Sequence, residues 1–61
     1  MANKTYRVRV ARPDGNVEIT EYADRDAAVR AFCDATNYQE VEMIVRDWDE
    51  MTDMIEYMKE A

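Results

Sequence analysis

The chain opens with an alternation of apolar and polar positions: Tyr6, Val8 and Val10 interleave with Arg7, Arg9 and Ala11. Period two predicts a β-strand with one buried face. Pro13-Asp14-Gly15-Asn16 follows, where proline presets φ, aspartate bonds nearby backbone and glycine accepts positive φ, so a turn is expected. Val17 to Tyr22 reads as a second strand. A four-residue loop pairs Val10 with Ile19 and Arg9 with Thr20. That register places Val8, Val10, Val17 and Ile19 on the inner face, with Arg7 and Arg9 outside near Glu18 and Tyr22. It also turns Glu21 inward, so the strand is expected to bend or end there.

Asp24 is a good N-cap, and Asp26 sits in the first turn where the helix dipole favours an acid. Ala27 to Thr36 has high helix propensity, with Ala28, Val29, Phe32 and Ala35 on one face and Asn37 as a left-handed stop. Val41, Met43 and Val45 alternate with Glu42, Ile44 and Arg46, which predicts a third strand. A right-handed crossover places it beside the first strand, giving the order 2-1-3 with the basic strand central. Asp47 or Asp49 can cap a final helix, whose Met51, Met54, Ile55 and Met58 fall at i, i+3, i+4 and i+7. The expected fold is therefore one α+β domain over residues 1–61. Its order is β-β-α-β-α, with a three-stranded antiparallel sheet, one helix packed on it and a C-terminal amphipathic helix.

Sixty-one residues bury only about 60% of the surface that the unfolded chain exposes. Such a domain has a thin core and about 3–5 kcal/mol of stability. Cys33 is the only cysteine and there is no histidine, so neither an internal disulfide nor a Cys/His zinc site can form. Fourteen acids against eight bases give a net charge of −6. Lys4, Arg7, Arg9 and Arg12 precede every acid, so residues 13–61 carry −10. This balance repels nucleic acid phosphates and attracts basic surfaces. No run approaches the ~18 apolar residues of a membrane span. Met1-Ala2-Asn3-Lys4 leads directly into strand pattern, so no secretory signal is expected, and a lone thiol suits the cytoplasm.

Three features could carry function. The first is the acidic C-terminal stretch of Trp48, Asp49, Glu50, Asp53 and Glu56. Spaced along a helix, these carboxylates would stand in for a phosphate backbone and block a basic groove. Asp47, Asp49 and Asp53 lack the glycine and terminal glutamate of a calcium loop, so no metal is expected, and no cofactor either. The second is the methionine set. Met51, Met54, Ile55 and Met58 would pack on the domain, or join two copies if the helix projects away. The third is the outer sheet face, with Arg7, Arg9, Tyr22, Ile44 and Trp48, since arginine and aromatic residues are enriched at interface hot spots. Catalysis has little to draw on: there is one glycine, no serine, and Cys33 lies in a helix among Ala31, Phe32 and Asp34.

The run Ile19-Thr20-Glu21-Tyr22-Ala23-Asp24-Arg25-Asp26-Ala27-Ala28-Val29-Arg30-Ala31 passes from strand through an acidic cap into an alanine-rich helix. Tyr38 to Arg46 returns as a strand. Over residues 4–46 this organisation resembles small acidic phage-encoded host-takeover inhibitors, of the RNA polymerase inhibitor and anti-CRISPR types. The resemblance implies a compact inhibitor that docks on a larger host machine in the host cytoplasm. The expected function is thus a non-catalytic acidic protein that binds a basic surface of a nucleic-acid-processing complex. Its contacts would be Trp48, Asp49, Glu50, Asp53 and Glu56, with Tyr22 and Arg9 second. The alternative is a self-associating accessory protein, a homodimer built on the methionine-rich helix.

Overall fold

The structure, a computed structural model, describes residues 3–61. Met1 and Ala2, which open the segment expected to be free of a secretory signal, lie outside the described residues. The elements are β1 (Lys4–Ala11), β2 (Val17–Tyr22), α1 (Arg25–Asp34), β3 (Glu40–Asp47) and β4 (Thr52–Glu60). They form one antiparallel sheet in the order β2-β1-β3-β4, with α1 on one face.

The central trio matches the alternation in the sequence. β1 pairs with β3 from Lys4–Asp47 through Val8–Met43 to Ala11–Glu40, so Tyr6, Val8 and Val10 share a face with Val41, Met43 and Val45. α1 lies on that face. Asp24 is its N-cap and accepts the N–H of Asp26 at 3.2 Å. Ala28 is fully buried where the helix meets the sheet, and Val29, Ala31, Phe32 and Ala35 pack around it. The absence of a larger side chain at position 28 lets the helix axis approach closely. Asn37, at φ 52°, turns the chain back toward β3. Among the described residues, the buried core is Val8, Val10, Ala28, Val41 and Met43.

The expected C-terminal helix does not exist. Residues 52–60 form β4, which pairs with β3 from Asp47–Thr52 to Glu40–Glu60. The local chemistry that suggested a helix is present but ends after one turn. The Asp47 carboxylate accepts the N–H groups of Asp49 at 3.0 Å and Glu50 at 3.2 Å, as a cap would. Met51 then adopts φ 56°, a left-handed conformation that closes the loop and returns the chain as a strand. The helical spacing of the methionines has a second source. Met43 pairs with Tyr57 and Ile44 with Ile55, so Glu56 is an extra residue, a β-bulge. The bulge puts Ile55 and Met58 on the same face although they are three apart, which imitates a helical period. Met51, Met54, Ile55 and Met58 therefore form no stripe. Met51 is in the turn, Met54 faces the helix side, and Ile55 and Met58 face the opposite side.

The β1–β2 register also differs from expectation by one residue. Arg12 and Asn16 close the hairpin through Arg12 N–H to the Asn16 carbonyl at 2.8 Å. Gly15, at φ 93°, donates to the Arg12 carbonyl at 3.0 Å. The loop is thus one residue shorter than expected. Val10 pairs with Glu18, and Val8 with Thr20. A one-residue shift inverts the strand, so Glu18, Thr20 and Tyr22 lie on the helix side while Val17, Ile19 and Glu21 face away. Glu21 is relieved of the inward position that the longer loop would have imposed.

Candidate interaction surface

No element among the described residues covers the sheet face opposite α1. Strand alternation supplies this face with Arg7 and Arg9 from β1, Glu42, Ile44 and Arg46 from β3, Asp53, Ile55 and Met58 from β4, and Val17 and Ile19 from β2. Charged side chains run along the two central strands. Arg9 Nη1 donates to Glu42 Oε1 at 3.0 Å and lies 3.5 Å from Glu40 Oε1. Arg7 and Arg46 share one carboxylate, with Asp53 Oδ1 3.3 Å from the first and Oδ2 3.4 Å from the second. The Nε atoms of Arg7 and Arg46 are buried without a hydrogen-bond partner. Such half-exposed pairs contribute about 0–1 kcal/mol each. They chiefly fix the long side chains flat against the sheet.

Trp48 extends this face at one end. Its ring lies 4.4 Å from the Arg46 guanidinium carbon, and its Nε1 donates to Thr5 Oγ1 at 2.9 Å. The two partners hold the indole in a fixed orientation while leaving it 40% exposed. Apolar side chains flank the charged band on both outer strands: Ile19 is 58% exposed on β2, and Ile55 and Met58 are 53% and 52% exposed on β4. A fixed tryptophan, ordered arginines and exposed aliphatic side chains on a rigid sheet are the composition of an interface core.

The sequence-expected contact residues are split by the fold. Trp48, Asp53 and Arg9 lie on the open face, with Asp53 and Trp48 near one end beside Arg46 and Arg9 farther along beside Glu42. Asp49 and Glu50 are exposed in the β3–β4 turn beside Trp48, and Asp49 Oδ2 accepts the Asn3 N–H at 3.2 Å. Glu56 and Tyr22 are on the other face. Glu56, in the bulge, is hydrogen-bonded by Arg25 of α1, which also donates to the Tyr57 hydroxyl at 3.1 Å. The Glu56 hydrogen bond, then that of Tyr57, then the Glu56 charge hold the Arg25 pKa above its ordinary value. Tyr22 is half-buried against the core. Ile19 belongs to the open face and was expected in the core. The one sequence signal for its true position was the misfit of Glu21 in the longer-loop register.

The carboxylates are distributed unevenly. Glu18, Glu40, Glu42, Asp53 and Glu56 are in ion pairs, and the other nine of fourteen have no basic partner among the described residues. Lys59 is withdrawn from the surface charge. Its Nζ lies 4.8 Å from the Phe32 ring centre and 5.1 Å from that of Tyr38. Glu21, Asp24, Asp26, Asp47, Asp49 and Glu50 gather where β2 enters α1 and β3 turns into β4, because Tyr22 pairs with Tyr6 and Tyr6 with Val45. Six of the nine carboxylates without a basic partner among the described residues therefore lie at the Trp48 end of the sheet.

Among the described residues, no group of three or more acidic or cysteine side chains is placed to hold a metal ion. Cys33 is exposed on α1, and its carbonyl accepts from Lys59 Nζ at 3.4 Å. No helix among the described residues is long and apolar enough to cross a membrane. Comparison with protein-family models, curated proteins and solved structures returned no match, so the function rests on this chain's own residues.

Proposed function

We propose that this chain is a non-catalytic acidic binding protein, an inhibitor or regulator of a nucleic-acid-processing complex in the cytoplasm. It docks the open sheet face and the adjoining acidic turn onto a basic surface of that complex. The observation that carries the reading is the uncovered face itself. A four-stranded sheet with a helix on only one side leaves Trp48 exposed at one end of the open face, with Ile19 exposed on one edge strand and Ile55 and Met58 on the other. Aromatic and aliphatic side chains exposed beside ordered arginines on one face mark an interaction site. The unpaired carboxylates at the Trp48 end supply long-range attraction to a basic partner, and the apolar residues supply contact once docked. The same charge disfavours direct binding of nucleic acid. The organisation of residues 4–46, which resembles compact host-takeover inhibitors that dock on a larger host machine, supports the inhibitor class.

The test is affinity capture from a nuclease-treated lysate, run side by side with the wild-type chain and the Ile19→Lys and Trp48→Ala variants. A partner is expected that is retained by the wild type at ~0.05 M salt, released by ~0.5 M salt, and lost from both variants. Retention that survives high salt, or that is equal for all three chains, contradicts the proposal.

A further inference from the structure

Strand β4 has features that an isolated edge strand ordinarily lacks. It is nine residues long and has no neighbour on its outer side. It exposes large apolar side chains on both faces: Ile55 and Met58 on the open side, Met54 and Tyr57 on the helix side. Natural sheets blunt such edges with charges and bulges; β4 carries both, so only a strand that matches its bulge and its charges can pair along its full length. We propose that β4 pairs with β4 of a second copy. The strands would be antiparallel about a two-fold axis between Glu56 and Tyr57, and two four-stranded sheets would become one continuous sheet.

The hydrogen-bond phase of the edge follows from the backbone. Trp48 donates its N–H to the Asn3 carbonyl, and Ala61 donates to the Gln39 carbonyl. In an antiparallel ladder the bonded positions alternate. Arg46, Ile44 and Glu42 therefore bond toward β1, while Asp47, Val45, Met43 and Val41 bond toward β4. Their β4 partners, Thr52, Met54, Tyr57 and Lys59, point inward. The outward backbone groups belong to Asp53, Ile55, Met58 and Glu60. These are also the residues whose side chains face the open side.

The bulge selects the occupant. A regular strand laid along β4 could match it on one side of Glu56 but would be out of phase on the other. A second β4 has the same extra residue at the same place. With the axis between Glu56 and Tyr57, Ile55 meets Met58 of the partner subunit, and Asp53 meets Glu60 of the partner subunit. Both members of each pair have outward backbone groups and open-side side chains. Met54 likewise meets Lys59 of the partner subunit on the helix side. This register brings both of these outward pairs into phase across the bulge.

Charge fits the same register. Asp53 alone bridges Arg7 and Arg46, whose Nε atoms lack partners. Glu60 of the partner subunit would stand beside Asp53 and bring a second carboxylate to the two guanidinium groups. What would be a clash of two acids becomes a balanced group of two and two. β2, the other edge, is shorter, at six residues. The open faces of both protomers remain exposed in the joined sheet, so this pairing stands or falls independently of the docking function.

The test is sedimentation equilibrium of the purified chain from ~1 to ~200 μM. Three chains are compared: the wild type, Met58→Pro, which removes an outward N–H, and Ile19→Pro, which does the same at the β2 edge. The wild type and Ile19→Pro are expected to dimerise, and folded Met58→Pro to stay monomeric. A monomeric wild type overturns the proposal, as does a dimer that survives Met58→Pro or is lost in Ile19→Pro. Should Met58→Pro fail to fold, amide exchange on the wild type decides. The Ile55 and Met58 amides are expected to slow by about tenfold or more across the concentration range, with those of Val17 and Ile19 unchanged. Equal exchange at both concentrations overturns it.

Discussion

Replacing Met43 and Met54 with alanine, compared as a pair, separates the observed fold from the helical alternative. Met43 is fully buried, at 0% exposure, on a central strand. It sits between Val8 of β1 and Tyr57 of β4, on the face covered by α1. Burying a methionine side chain contributes about 1.5–3 kcal/mol, and truncation adds the cost of a cavity, for a total of about 2–5 kcal/mol. A domain this small has only about 3–5 kcal/mol in hand. Met43→Ala is thus expected to bring the chain to the edge of unfolding in water at 25 °C. The matched control is Met54→Ala. Met54 is 70% exposed, and such a surface change stays within about 0.5 kcal/mol. Urea titration followed by Trp48 fluorescence and far-UV circular dichroism measures both, with shared slopes confirming a common unfolded state. Were residues 51–58 a helix packed through a methionine stripe, Met54→Ala would cost as much as a core truncation. Equal losses for the two variants would refute the packing described here.

Four further substitutions probe local features. Met51→Gly should raise stability by about 0.5–1 kcal/mol, because Met51 holds φ 56° and glycine adopts that conformation freely; a loss of similar size, read by urea titration, would indicate a helix at this position. Asp47→Ala should cost about 1 kcal/mol by removing the acceptor for the Asp49 and Glu50 N–H groups, measured the same way. Gly15→Ala should cost about 1 kcal/mol through its positive φ alone, since a β-carbon there meets nothing within 4 Å; thermal unfolding checks it. Trp48→Phe removes the hydrogen bond to Thr5 and should cost about 0.5–1.5 kcal/mol with little change in the circular dichroism of the sheet.

The centre of the fold was legible because its signals agree at every level. In β1 and β3 the alternation of valine with charged residues leaves one choice of inner face. Asp24, Asp26 and the alanines of α1 specify a helix by capping and propensity together. The outer strands were not legible for two distinct reasons. In β2 both faces are half polar, so the register depended on the length of the Pro13–Asn16 turn, where one residue inverts the strand. In β4 the bulge at Glu56 broke the period of two, and Asp47 supplied a helix-like cap to a turn that Met51 terminates. The candidate surface inherits both effects. Arg9 lies on the open face because β1 is where it was expected, whereas Asp53 shares that face because residues 52–60 return as β4 beside β3 instead of forming the expected helix. Glu56 and Tyr22 fall on the other face, and Ile19 joins the surface because of the shorter loop.

Everything argued about the surface depends on residues 52–60 lying as a strand at the sheet edge, since a terminal helix could fold back over the open face. Cross-strand nuclear Overhauser effects report this directly. Contacts are expected between the backbone protons of Val45 and Met54 and of Met43 and Tyr57, with strand-type carbon shifts from Thr52 to Glu60. Sequential amide–amide contacts and helical i to i+3 contacts running from Met51 to Met58 would contradict it.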